Sequence, residues 1–365
     1  MTASAPPPPL PGDYAPWFHA KALDGSDRYA FHSVGGRHVL MLFFGTASEP
    51  RIKSAFDMIK THRKLFDDDH AAFFGITVDP ADVAQKRIAQ SLPGIRHFLD
   101  YDRAVSRLYG AVRQDQHYEP FWLLMDRELR IVGKYPLAQG EEAIADLERR
   151  IAMASDSWAP VLTVPGVFDE ALCRHLIALY EADGGTASGF MRDVNGKTTH
   201  ILDNGFKQRR DTTIEDPKLI QALSQRIARR IAPAIGRAFA FKATRIERHI
   251  VACYEAGKGH FRPHRDNTTF GTAHRRFAVT INLNAEEYEG GNLRFPEFGN
   301  RTYRAPTGGA VVFSCSLLHE ATPVTKGKRY AFLPFLYDED ARAVREANRD
   351  KLAAQADANA ELPAQ

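Results

Sequence analysis

Beyond Lys242 the chain runs in short apolar stretches, "ERHIVACYEAG", "RRFAVTINLN", "GGNLRFP", "NRTYRAP", "GGAVVFSCS" and "RYAFLPFLYD", parted by glycine, proline and asparagine turns. None of these strand-length runs is followed by a helical pattern. Parallel strands need a crossover of about a dozen residues or more, usually a helix, so a parallel sheet is excluded here. The segment is expected to form an antiparallel sandwich or barrel.

The texture before it is different. "HVLMLFFG" reads as a buried strand and "EPRIKSAFDMIKTHRKLF" as a helix. "AAFFGITVD" and "PADVAQKRIAQSL" repeat that pair; "FWLLMDRELRIVGKYP" reads as a hairpin turning near Asp126 to Glu128, and "EEAIADLERRIAMA" as a closing helix. Strands alternating with helices predict an α/β layered domain over 13–152. It follows a proline-rich arm at 1–12 that is extended or disordered. Residues 153–160, "MASDSWAP", lose the periodicity and mark a linker, leaving 161–340 as a second domain and 341–365 as a helical tail that frays toward "ELPAQ". "VLTVPGVFDEALCRHLIALYEADGG" predicts a strand, a turn and an amphipathic helix closed by Gly184 and Gly185. A further helix is expected across "DPKLIQALSQRIARRIAPAIGRAF", its arginines on a solvated face.

Two domains suit a chain of 365 residues. The 48 basic and 45 acidic residues are interspersed, which argues against nucleic acid as a partner. Cys173, Cys253 and Cys315 form no CxxC pair, so a disulfide scaffold or thiolate zinc site is not expected and a reducing, cytoplasmic setting is. No leader pattern or membrane-length apolar run is present in the sequence, so no membrane partner is expected.

In "GDYAPWF", "LFFGTASEPRIKSAF" and "EPFWLLMDRELRIVG" the first segment resembles the thioredoxin-fold peroxiredoxins of the alkyl hydroperoxide reductase and thiol-specific antioxidant group. In that family a cysteine at a helix N-terminus attacks peroxide, its thiol pKa lowered by the helix dipole. Here Thr46 keeps the threonine position, Glu49 stands where the cysteine would, and no cysteine precedes Cys173. Peroxidase chemistry is excluded, and Glu49–Pro50 reads as an ordinary first helical turn. The resemblance also places Pro120 where thioredoxin folds keep a cis proline. What it leaves for the segment is a scaffold, a docking module or a surface for homo-oligomers.

The chemistry lies in "GHFRPHRDNTTF". In an extended backbone residues two apart share a side, so His264 and Asp266 converge while Arg265 faces away. His319, ending the strand "AVVFSCSLLHE", offers a third ligand. Two histidines and one carboxylate leave coordination positions vacant, the arrangement of non-haem Fe(II) oxygenases. Arg329 suits the distal carboxylate of an oxo-acid cosubstrate, and Tyr254 could add a hydroxyl. Asn282 points inward if Thr280 does, as a cosubstrate contact or as simple strand capping. His260 and His274 read as exposed loop histidines or as substrate contacts. Arg262, Arg275 and Arg276 read either as recognition of an acidic or phosphorylated substrate or as a solubilising rim. Cys253 and Cys315 read as buried bystanders.

With "YEAGKGHFRPHRD", "VTINLN", "GGNLRFPEFG" and "PTGGAVVFSCSLLHEATPVTKGKRY", residues 160–338 resemble the Fe(II)/2-oxoglutarate-dependent oxygenases, most closely the prolyl 4-hydroxylase-like branch. The resemblance implies a double-stranded β-helix, or jelly roll, with flanking helices. It makes His264, Asp266 and His319 the iron ligands, and Arg329 with Tyr254 the clamp on 2-oxoglutarate. O2 would be the second cosubstrate, and ascorbate is an accessory reductant the resemblance allows. The implied reaction hydroxylates an aliphatic carbon of a peptide, protein or amino-acid substrate and releases succinate and CO2; retention of Asp266 favours hydroxylation over halogenation. Two alternatives stay open: a non-catalytic iron- or oxygen-sensing or partner-docking protein, and a cupin-like zinc hydrolase. The segments 186–212 and 267–276 carry no readable substrate code; the first reads as an active-site lid or as disordered.

Overall fold

A computed structural model describes residues 7–113 and 115–352. The N-terminal part of the proline arm and the "ELPAQ" end, expected to fray, lie outside the described residues. The chain divides into two compact units. One takes in the described residues up to Ser157 with Pro296–Gly299, and the other Trp158–Phe295 with those from Asn300 on.

In the first unit the parity of "HVLMLFFG" decides the layers. Val39, Met41 and Phe43 face one apolar cluster with Phe18, Phe31 and Phe121, while Leu40, Leu42 and Phe44 face another with Ile52, Ile59, Ile144 and Leu147. A strand buried on both faces reads as a continuous apolar run. His38–Gly45 lies inside a seven-stranded sheet, parallel to Ala71–Thr77, which is parallel to Ile95–Leu99. Phe121–Met125 and Ile131–Pro136 complete one side as an antiparallel hairpin. The helices Pro50–Thr61 and Gly140–Ala152 cover one face, giving a thioredoxin-like fold.

Two readings need correction here. The helix expected over "PADVAQKRIAQSL" is a single turn, Ala81–Ala84: Asp82 turns inward, fully buried, to accept from the Ala47 amide and Thr77 hydroxyl, and Lys86 takes a left-handed φ of 53°. The cis peptide bond precedes Pro93 and not Pro120. Glu49 is the N-cap of Pro50–Thr61 and pairs with Arg51 at 2.6 Å, while Thr46 donates to Asp79.

The second unit is a jelly roll of two antiparallel sheets. The larger has nine strands and contains, in order, Arg245–Glu247, Phe335–Tyr337, Phe277–Asn282, Lys328–Phe332, Ile250–Glu255, Arg210–Thr213 and Thr186–Ala187. The smaller runs Lys207–Gln208, His260–His264, His319–Ala321, Leu293–Arg294, Thr302–Tyr303. Alternation in "IVACYE" sends Val251 and Cys253 against the helices Glu170–Asp183 and Pro217–Arg230, and Ile250, Ala252 and Tyr254 into an inner cluster with Ala321 and Ala331. The first of those helices is capped by Asp169, accepting from the Leu172 amide, and closes at Gly184 with φ 79°.

The single helix expected across 216–239 is two, Pro217–Arg230 and Ala232–Phe239, because Pro233 has no amide hydrogen to continue the first. The segment 186–212 is neither loop nor disordered: Phe190–Val194 and Lys197–Ile201 form a hairpin, and short strands on either side join the two sheets. The helix expected over the tail runs only over Glu339–Ala347, capped by Asp338, and gives way to a 3-10 turn at Arg349–Lys351. Among the described residues no helix is long and apolar enough to cross a membrane.

Candidate metal centre

His264 closes the strand His260–His264, and the antiparallel register sets it directly opposite His319 of the neighbouring strand. Residues so paired have adjacent side chains, which is how two histidines distant in sequence meet. Asp266 follows after a one-residue bend, its amide donating to the Cys315 carbonyl at 3.0 Å. One ligand atom from each of His264, Asp266 and His319 falls within 4.8 Å of the others.

Both imidazoles are pre-set. His264 Nδ1 lies 2.8 Å from the Arg262 carbonyl and His319 Nδ1 lies 3.0 Å from that of Leu317. A carbonyl only accepts, so each Nδ1 carries the proton and each Nε2 presents a lone pair. Those Nε2 atoms lie 3.5 and 3.3 Å from the two oxygens of Asp266. The Phe261 ring stacks on His264 at 3.4 Å and 19°, and Phe313 meets His319 at 4.5 Å and 60°. Burial, with the nearby His319, pushes the His264 imidazole down to about 4, so it is neutral near pH 7. Two imidazole Nε2 atoms and one carboxylate, within 4.8 Å of one another, are a donor set that fits a divalent ion.

Arg329 lies directly across from Tyr254 in the strand pair, 5.0 Å from the tyrosine ring centre. It is 2% exposed, and its Nε and one terminal nitrogen make no hydrogen bond. Tyr254 Oη accepts from Arg209 at 3.3 Å. Asn282 pairs across strands with Ala331 on the inner face, and its amide donates to the Ala305 carbonyl at 2.7 Å.

His260 bonds the Lys258 carbonyl. His274 is not an exposed loop histidine: it is 1% exposed and bonds Glu247 at 2.6 Å, because Glu247 also takes two hydrogen bonds from Arg275 and the three close a buried network. Arg276 bonds the Ala273 carbonyl. All three cysteines are buried, and burial raises their thiols, those of Cys173 and Cys253 to about 11. Sequence reasoning passed over Lys207 and Arg209, 5% and 7% exposed, in the segment it left unread. The alternation of "KQR" on an edge strand was the available signal.

Fold and site together define a jelly roll with a two-histidine, one-carboxylate centre. Residues 249–337 match the 2OG-Fe(II) oxygenase superfamily, and residues 11–135 match the AhpC/TSA family. The first family's cofactors are Fe(II), 2-oxoglutarate and O2. The chain thus joins a segment that matches the AhpC/TSA family to one that matches the 2OG-Fe(II) oxygenase superfamily. It is similar to a PKHD-type hydroxylase of Synechococcus sp. (strain JA-2-3B'a(2-13)), 34% identical over 88 residues, 22% of this chain and 39% of that protein. A PKHD-type hydroxylase of Cupriavidus metallidurans is 30% identical over 122 residues, 30% of this chain and 53% of that one. The chain therefore spans about half or less of these relatives' lengths. A Trichoplax adhaerens prolyl hydroxylase, solved with a hypoxia inducible factor peptide, overlays with a TM-score of 0.42 at 18% identity, covering 57% of this chain and 94% of that one.

Proposed function

We propose that the chain is an Fe(II)- and 2-oxoglutarate-dependent dioxygenase that hydroxylates an aliphatic carbon of a prolyl or other amino-acid residue, in a peptide, a protein or a free amino acid. The observation that carries this is the convergence of His264, Asp266 and His319 within 4.8 Å. The buried guanidinium of Arg329, with hydrogen-bonding capacity unspent, supports it. His264 and His319 would hold the metal through Nε2 and Asp266 through its carboxylate. When bound, ferrous iron supplies the O2-dependent oxidation that couples decarboxylation of the oxo-acid to hydroxylation. Arg329 takes the distal carboxylate of 2-oxoglutarate, Tyr254 packs against that guanidinium, and Asn282 lines the same inner face. Phe261 and Phe313 keep the imidazoles from turning and shield them from water.

A sensing role leaves the unspent Arg329 unexplained, since a bare metal sensor has no carboxylate to hold. The unit at 161–340 would do the chemistry, with 13–152 a cysteine-free scaffold, docking module or oligomer surface in a cytoplasmic protein. Anaerobic Fe(II) with 2-oxoglutarate should produce a weak visible charge-transfer band, and air should then yield succinate. Zinc should yield neither. Absence of both band and succinate would overturn the reading. The substrate would be sought by the mass gain of one oxygen atom in candidate peptides and amino acids.

A further inference from the structure

We infer that the substrate carries an anionic oxygen group, a carboxylate or a phosphate, and that Lys207, Arg209 and Arg248 receive it beside the metal centre. This rests on the oxygenase reading of the site. Lys207 edges the smaller sheet next to His260–His264, and Arg210–Thr213 continues into the larger sheet, so the chain crosses between sheets at Arg209. Lys207 Nζ donates to Ser188 Oγ at 2.8 Å and to the Gly189 carbonyl, and lies 4.8 Å from the centre of the Phe261 ring that stacks on His264. Arg209 reaches Ser188 Oγ at 3.1 Å, Asp211 at 2.6 Å and the Tyr254 hydroxyl; that same tyrosine packs against Arg329. Arg248 bonds the Leu333 carbonyl at 3.0 Å and lies over Phe335.

The charges do not balance. Arg275 is matched by Glu247 through two hydrogen bonds, and Asp266 is committed to the metal. Among the described residues Lys207 and Arg209 are then left with Asp211, and Arg248 with Asp211 and a Glu247 already taken by Arg275. Burial and the neighbouring Arg275 and Arg209 pull the Arg248 guanidinium down to about 10, and burial with Arg209 pulls the Lys207 ammonium well below its usual range. The nitrogen Nε of Arg209 makes no hydrogen bond. Buried Lys207 and Arg209 without full counter-charge are costly, the half-buried Arg248 adds to the excess, and such groups persist where a ligand completes them. Bound 2-oxoglutarate does not settle the balance, because Arg329 answers its distal carboxylate. All three cations precede or border the segment that matches the oxygenase family, so that match assigns them nothing.

The test uses the full chain loaded anaerobically with Fe(II) and 2-oxoglutarate, and measures calorimetric binding of inorganic phosphate, N-acetyl-L-proline and neutral N-acetyl-L-prolinamide. At least one anion should bind, in a salt-sensitive way, and about tenfold tighter than the amide. Lys207→Met and Arg209→Gln should each weaken that anion about tenfold or more, as truncating one side of a buried charge pair does. Should either not fold, Arg248→Gln at the half-buried edge should weaken it about threefold. Preference for phosphate assigns a phosphorylated substrate, and preference for N-acetylproline a carboxylate. The inference falls if the amide binds as tightly as the anions, if neither anion binds, or if the variants leave affinity unchanged. Succinate formation by the same wild-type preparation with Fe(II) and air separates the two readings: succinate without anion binding rejects this inference alone, and neither band nor succinate rejects the oxygenase reading.

Discussion

Replacing Arg329 by Met should make the ligand-free protein more stable and the cosubstrate weaker. Methionine keeps most of the unbranched stem that packs beside Tyr254 and removes the charge. In the ligand-free state two buried nitrogens of this guanidinium are unpaired. Each orphaned buried donor costs about 1–3 kcal/mol. The contact with the Tyr254 ring at 5.0 Å returns about 0.5–2 kcal/mol. The two unpaired donors together cost about 2–6 kcal/mol, so the balance is a gain of up to about 5 kcal/mol in unfolding free energy, against a usual loss on altering a buried residue. The same change removes a buried charge partner for the distal carboxylate, worth about 2–5 kcal/mol, so 2-oxoglutarate affinity should fall about thirty- to several-thousand-fold. Urea denaturation of the ligand-free chain and calorimetric titration of the anaerobic ferrous protein read the two numbers. Arg329→Met that lowers stability and leaves 2-oxoglutarate affinity intact would show the guanidinium to be a structural group and refute the reasoning.

Asp266→Ala should weaken ferrous binding by more than about a hundredfold and abolish the charge-transfer band, with both imidazoles still held by the Arg262 and Leu317 carbonyls; equilibrium dialysis and absorption at several iron concentrations check it. His97, 3% exposed among Phe44, Phe56 and Phe73, is pushed down to about 4 by burial. Unfolded it protonates near 6.5, so the unfolded state binds the extra proton between the two values, and stability present above pH 6.5 is lost as pH falls toward 4, by about 3 kcal/mol. His97→Gln should flatten that slope in urea melts at pH 7 and 4.5; an unchanged slope would assign the pH dependence to other groups. A thiol reagent should label no cysteine in the native chain and all three after denaturation, with no peroxide consumption by a thiol cycle; rapid native labelling would contradict the burial.

Much of this protein was legible from neighbours along the chain. The parity of "HVLMLFFG" and "IVACYE" dictates which side chains face which layer, since a strand alternates whatever it pairs with. The pairing of His264 with Asp266 is local for the same reason, as is the absence of a thiol near Glu49. The short helix after Pro80 was misread because Asp82, polar in the pattern, is drawn inside by the Ala47 amide and Thr77 hydroxyl. Only tertiary structure could set His264 opposite His319 and Tyr254 opposite Arg329, since register between distant strands depends on every turn between them. It alone buried Lys207 and Arg209: a lysine or arginine in a polar stretch reads as solvated, and only the closing of two sheets around it takes the water away.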